Sequence, residues 1–429
     1  MDALLDSSAT AIARAIRSKD VSSYEVTQSF LDRITAVNPA INAAVKVAGE
    51  RALAEARRAD EALARGDAPG PFQGVPFTVK DVFDTADIVT AVGLSERAGY
   101  VPDKDAVAVA RLRAAGAILM AKTNCPPAGG GGVTDNPVYG RTNNPYDLNR
   151  TPGGSSGGEA ALLAAGCSPL GLGSDAGGSI RVPAHYCGIA GLKPTTGRVP
   201  NTGAYDQPGG LSDTRTQIGP MSRFVEDLHS ALAVISGPDW HDSGVVPMPL
   251  GAVDDVSIAK LRVAFFDDDG DNTPTPETRE VVAMTARLLA DAGAAVEQAL
   301  PPDLDEILPI TQGYWRLTSM SGAEIEALDL RWDRFRTRML GFMRGYDVLL
   351  CPADQHPAPP HDDADEGRFA YTLAYSLTGW PCAVVRAGTS PEKLPIGVQV
   401  VARPWREDVA LAVARHIEMA TGGWQPPVL

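Results

Sequence analysis

Residues 152–200 read PGGSSGGEAALLAAGCSPLGLGSDAGGSIRVPAHYCGIAGLKPTTGRVP and hold two serines in tight glycine settings. Ser155 lies in GGSSGG (153–158) and Ser179 in DAGGS (175–179), 24 positions apart. Glycine admits positive φ and lets the main chain approach other groups closely, so both settings can present a hydroxyl beside bare backbone N–H donors. Outward from this stretch, apolar runs alternate with helix-forming ones. Strand-like runs are GVPFTVKD (74–81), AILMAKT (117–123), KLRVAFFDD (260–268), YDVLLCP (346–352), TGWPCAVVRAG (378–388) and LPIGVQVVA (394–402). Helical patterns fall around 105–115, at 277–292 and from Arg406 onward. This βα alternation predicts an α/β protein: a single large α/β/α sandwich whose central sheet is mixed and mostly parallel.

The first 70 residues read as a helical wrapper. Ser22 and Glu25 have capping-box spacing, and Val26, Phe30 and Ile34 recur at i, i+4, i+8 before Pro39. A second amphipathic helix covers 50–66 and stops at Gly66. The chain has 53 acidic against 38 basic residues, net −15, which argues against nucleic acid or an anionic membrane as partner. Five cysteines without a CxxC pair indicate neither a disulfide framework nor a zinc ribbon. No signal-peptide pattern or 18-residue apolar run is present, so the expectation is a cytoplasmic protein with no metal and no cofactor.

Three motif readings compete for the glycine-rich stretch. Gly171, Gly173 and Ala176 match the dinucleotide pattern G-x-G-x-x-A, but no acidic residue follows about 20 positions on. Gly153, Ser155 and Gly157 match the hydrolase elbow G-x-S-x-G, with His356, His361 or His416 as the base, although NRTPGG makes a poor preceding strand. The third reading takes both serines with a lysine. A serine nucleophile needs a base, and a neutral lysine serves where no histidine does. Lys80, in the apolar run GVPFTVKD, is the candidate. Alternation puts Val75, Phe77 and Val79 on one strand face and Pro76, Thr78 and Lys80 on the other, so burying Lys80 requires a sheet covered on both faces. The combination points to acyl transfer.

The motifs GVPFTVKD, KTN (122–124), TNNPYDLNRTPGGSSGGEAALLAAG (142–166) and GLGSDAGGSIRVPAHYCGIAGLKPT (171–195) together resemble the amidase signature family, and the resemblance continues through IGPMSRFVEDL (218–228), YDVLLCP and LPIGVQVVA. It implies one amidase domain over 1–429, with the wrapper at 1–70, the signature core at 71–200, and the rest of the sheet and pocket elements at 201–429. It further implies Ser179 as nucleophile, Ser155 on a cis peptide bond as the bridging residue, Lys80 as terminal base, and an oxyanion hole from the N–H groups of Ala176, Gly177, Gly178 and Ser179. Asp175 and Arg181 read as a structural ion pair beside the nucleophile.

The remaining candidates concern substrate. After KTN the chain runs through Gly129, Gly130, Gly131 and Gly132, which predicts an open or mobile loop where the family places active-site wall. Amidotransferase subunits of this family carry an acidic residue, at the position of Phe369 here, for an amino acid's ammonium group. Phe369, with Tyr371 and Trp380, instead suggests a neutral apolar or aromatic substrate group. The expected function is hydrolysis of small hydrophobic or aryl amides, with carbamates (urethanes) and esters within chemical reach. The partner is a small molecule, and the protein a monomer or homodimer. The alternative is a glutamine-dependent amidotransferase A-type subunit working with a partner chain. Two other features read as ordinary structure: DDDGD (267–271) as a solvated loop, and Trp332, Phe335, Met339, Phe342 and Met343 as a core stripe, with a hydrophobic substrate wall as the alternative.

Overall fold

In the computed structural model, which describes residues 2–205, 207, 209–210, 213–363 and 369–429, eleven apolar runs join one sheet. The strands are β1 (Ala44–Val47), β2 (Pro76–Lys80), β3 (Ile118–Thr123), β4 (Leu170–Asp175), β5 (Ala190–Lys193) and β6 (Gln217–Ser222). They continue with β7 (Arg262–Phe265), β8 (Ala295–Gln298), β9 (Val348–Pro352), β10 (Cys382–Thr389) and β11 (Pro395–Ala402). Their order across the sheet is β1-β3-β2-β4-β6-β5-β10-β11-β9-β7-β8, with helices packed on both faces. The α/β architecture is therefore the expected one.

The direction of the strands is not. Among the described pairings, β2 with β3 and β4, and β7 with β8 and β9, are parallel; β1–β3, β4–β6, β5–β6, β5–β10, β10–β11 and β9–β11 are antiparallel. The sheet is mixed but not mostly parallel. Once helices cover both faces, every strand reads as a continuous apolar run whichever way it points, and β2, β3, β4 and β9 are buried along their whole length. The amino-terminal wrapper likewise includes a strand: AVKV at 44–47 pairs with β3 at the sheet edge, too short to register in a helix-rich stretch. The helix Ser23–Ile41 has the capping box but runs through Pro39 to end at Asn42, which adopts the left-handed conformation.

One face of β2 buries Phe77 and Val79 in the main core, each worth about 1.5–3 kcal/mol of transfer free energy. The other face, carrying Thr78 and Lys80, is covered by the fully buried helix Gly157–Ala164, whose Glu159 accepts hydrogen bonds from Thr78 (2.5 Å) and Thr123 (2.7 Å). That cover is what takes Lys80 out of water. A second apolar cluster, on the β7–β9–β11 side, contains Phe335, Met339 and Met343 with Trp332 and Phe342 packed against it, so the methionine-aromatic stripe is core. In DDDGD, Asp267 and Asp268 pair with Arg279 while Asp269 accepts from the Asp271 and Asn272 N–H groups.

Candidate active site

Three adjacent parallel strands, β3, β2 and β4, end at the same rim of the sheet, so the loops that follow them meet there although their residues are far apart in sequence. β2 delivers Lys80 and β4 delivers Ser174 and Asp175. The loop before the helix Gly157–Ala164 brings Ser155, which follows a cis Gly154–Ser155 peptide. Lys80 Nζ lies 2.5 Å from Ser155 Oγ and 2.9 Å from Ser174 Oγ. Gln207 Nε2 donates to Ser174 Oγ from the far side at 3.2 Å.

Ser179 sits in the turn between β4 and the helix Arg181–Tyr186, and its C=O accepts from the Ser156 N–H at 3.1 Å. The two serine loops are thereby joined. Ser179 is partly exposed, whereas Lys80 is 0% and Ser155 1% exposed. Asp175 holds the turn: its carboxylate accepts from the Ile180 N–H at 3.1 Å and from Arg181 Nε at 2.9 Å and Nη2 at 2.8 Å. Arg181 in turn reaches Thr372 O, Gln399 and Ser376, so this fully buried pair tethers the Ser179 segment to the strands and helix beyond it.

The peptides between β4 and Ser179 are oriented from outside. Arg215 Nη2 donates to Ala176 O at 3.1 Å and Thr372 Oγ1 to Gly177 O at 2.5 Å. In a trans peptide the N–H points opposite to the C=O, so the Gly177 and Gly178 N–H groups face the other way. Among the described residues no acceptor takes the N–H groups of Gly177, Gly178 or Ser179. Gly178 has φ +150°, and a Cβ there would meet Thr372 Oγ1 at 2.4 Å and Phe369 Cδ1 at 2.7 Å, so glycine is required.

Burial is the largest influence on Lys80 and lowers its pKa from 10.5 to about 8, against opposing attraction from Cys125 and Asp175. At pH 7 that raises the neutral fraction from about 1 in 3,000 to about 1 in 10. Glu159 is pushed up to about 8 by burial, so it carries a proton at neutral pH despite the two threonine hydroxyls that favour its charge. Lys122 of the KTN motif is also fully buried but faces away, bonded to Phe83 O, Thr85 and Thr90, and 3.5 Å from Asp81.

The glycine loop is not an open gap. A Cβ on Gly154 would meet Gly131 O at 2.7 Å and Gly132 C at 2.9 Å, so the loop's main chain rests on the cis peptide, while a Cβ on Gly129 would lie 3.9 Å from Lys80 Nζ. Gly130 and Gly131 present their other side to solvent. Of the three aromatic candidates, Phe369 lies against the Ser179 loop, at Gly178. Tyr371 stacks on Phe266 with its hydroxyl donating to Asn272 O at 2.7 Å, and Trp380 is buried in the second core cluster. Tyr371 faces the core from the helix Ala370–Thr378 and Trp380 from the segment just after that helix, directions that the residue pattern does not reveal.

The dinucleotide reading fails because Gly171 and Gly173 lie inside β4 rather than in a turn that opens a helix. The elbow reading fails because Ser155 follows a loop and meets a lysine. The sequence reading missed Ser174, although a serine in an otherwise apolar glycine-rich strand next to β2 was its one signal.

The family model described as Amidase matches residues 25–323 and 316–411. Fatty-acid amide hydrolase 2-A of Danio rerio is 34% identical over 99% of this chain and 90% of its own length. The A-type subunit of the glutamyl-tRNA(Gln) amidotransferase of Carboxydothermus hydrogenoformans is 33% identical over 96% of this chain and 97% of its own. Among solved structures, 6-aminohexanoate cyclic dimer hydrolase superposes with a TM-score of 0.86 at 30% identity, covering 99% of each chain.

Proposed function

The chain belongs to the amidase signature family, within which the chemistry is hydrolysis of amide bonds, and on that premise we propose that Ser179, Ser155 and Lys80 form its catalytic relay. The observation that carries the proposal is the 2.5 Å contact of a fully buried lysine with the cis-peptide serine, one loop away from Ser179. Ser179 Oγ attacks the substrate carbonyl as its proton passes to Ser155, whose own proton moves to neutral Lys80 Nζ. The charged lysine then returns a proton through Ser155 to the departing nitrogen, leaving an acyl ester on Ser179. Water attacks that ester by the same relay and releases the acid. The N–H groups of Gly177, Gly178 and Ser179, with Ala176 ahead of them, supply donors for the carbonyl oxygen as it gains charge, each worth about 3 kcal/mol in hydrolases where one was removed.

The acyl group we propose is neutral and apolar or aromatic, since Phe369 against Gly178 offers a ring beside the reacting carbon. The similarity to a fatty-acid amide hydrolase supports this reading. The similarity to an amidotransferase chain favours a second one, glutamine hydrolysis with a partner chain, but a phenylalanine gives an ammonium group no carboxylate. Carbamates and esters present the same sp² carbonyl and fall within the proposal. The test is a panel of anilide, primary amide, glutamine, carbamate and ester substrates, with mass spectrometry of the peptide containing Ser179. Glutamine as the best substrate would reverse the order of the two readings.

A further inference from the structure

The nucleophile loop has a second buried cation beside it that the relay does not use. Asp175 pairs with Gln217 at the end of the β4–β6 ladder, and Arg215 stands two residues before Gln217, just past that end. The Arg215 side chain is 1% exposed, and its guanidinium carbon lies 4.7 Å from the Tyr314 ring centre and 5.9 Å from that of Trp315. Nη2 makes the bond to Ala176 O described above. Among the described residues, Nε and Nη1 have no hydrogen-bond partner and no carboxylate forms an ion pair with this arginine. The two acids nearby are engaged elsewhere: Asp175 by Arg181, and Asp213 by the N–H groups of Arg215 and Thr216.

A guanidinium buried without a directly paired carboxylate is costly, and burial lowers its pKa to about 10 against weaker attraction from Tyr314, Asp213 and Asp175. Such a charge gains most when negative charge arises close by, which makes its effect differential between ground and transition states. Its hydrogen bond to Ala176 O runs to the carbonyl of the peptide whose N–H belongs to Gly177. A donor on a carbonyl polarises the whole peptide and strengthens the N–H at its other end.

We propose that Arg215 is a positioning residue for the oxyanion hole: it fixes the Ala176–Gly177 peptide, sharpens the Gly177 N–H, and balances from behind the charge that forms on the substrate oxygen. The proposal rests on Ser179 being the nucleophile. Arg215→Met and Arg215→Lys are to be assayed on a neutral anilide beside Ser179→Ala. Two ligands are titrated alongside: a trifluoromethyl ketone, which forms an anionic adduct on the serine, and the matching alcohol, which cannot. In Arg215→Met, kcat falls about 30- to 300-fold, less than the roughly 10²- to 10³-fold seen when an oxyanion donor itself is lost, while KM stays within about threefold. Ketone affinity falls by the same factor as kcat/KM, alcohol affinity holds, and Arg215→Lys recovers about a tenth or more of the lost activity. Equal losses for ketone and alcohol together with a lowered Tm, or an intact kcat with KM raised only for acyl groups bearing an oxygen acceptor, would overturn the proposal alone. Full turnover in Ser179→Ala would remove the premise and the proposal with it.

Discussion

If neutral Lys80 is the terminal base, the enzyme's pH dependence follows from the burial of one amine. With its pKa at about 8, Lys80 is neutral in about 1% of molecules at pH 6, about 9% at pH 7 and about 90% at pH 9. The kcat/KM for a substrate without titrating groups therefore climbs nearly tenfold per pH unit up to pH 7, about ninetyfold between pH 6 and 9, and levels beyond. Unburied lysine chemistry would still be climbing past pH 10. The shift from 10.5 corresponds to about 3 kcal/mol, the scale on which the covering helix Gly157–Ala164 and the two-faced sheet act on this group. Ser174 supplies a second check, since its hydroxyl accepts a hydrogen bond from Lys80 and steadies the charged form. In Ser174→Ala the midpoint moves down by about half to one pH unit. The assay is initial-rate anilide hydrolysis from pH 5.5 to 10 at constant ionic strength. A rising limb centred near 6.5 that persists in Lys80→Met would show that another group is the base and refute the reasoning.

Ser179→Ala lowers kcat by on the order of 10⁴ or more and abolishes the acyl adduct on its peptide, as read by intact-mass analysis after rapid quench. Removing either partner of the buried Asp175–Arg181 pair strands the other charge and costs about 3–5 kcal/mol, seen as a lowered denaturation midpoint for Asp175→Ala or Arg181→Ala. Glu159 carries its proton in the folded state up to about pH 8 but loses it near 4.5 when unfolded, so the folded state binds the extra proton between those values. Stability therefore falls by up to about 1.4 kcal/mol per unit as pH rises through that window, and Glu159→Gln flattens the decline in urea titrations. Gly178→Ala, with its Cβ driven into Thr372 and Phe369, loses most activity on anilides while keeping its far-ultraviolet circular dichroism.

The pieces of the site were readable in the sequence to different depths. Lys80, Ser155 and Ser179 stood out through the resemblance to the amidase signature motifs, since on its own a glycine-flanked serine is an ordinary turn residue and a strand lysine is ordinarily exposed. Their meeting depends on β2 and β4 being parallel neighbours, and nothing in a fully buried apolar run records its direction. Ser174 and Arg215 were hidden for a related reason. Each matters through the strand beside it, and cross-strand register is set by the whole sheet rather than by local pattern. The burial of Tyr371 and Trp380 in the second core cluster was not legible either, because an apolar aromatic-rich stretch looks the same whether its rings face a pocket or the core. The short strand AVKV escaped because four residues carry too few alternations to outweigh the helices around them.

The contrast between a sealed lysine and a reachable Ser179 also guards against self-poisoning. An amine that touched an acylated serine would draw the acyl group onto itself as an amide, the kind of bond this site exists to break, and each such event would end the life of that molecule. In the proposed relay, Ser155 stands 2.5 Å from a Lys80 that is wholly out of solvent, so a proton is all that needs to pass between amine and Ser179. The amine keeps its basicity without exposing its nucleophilicity, and it stays equally hidden from acylating agents and aldehydes in the surrounding solution.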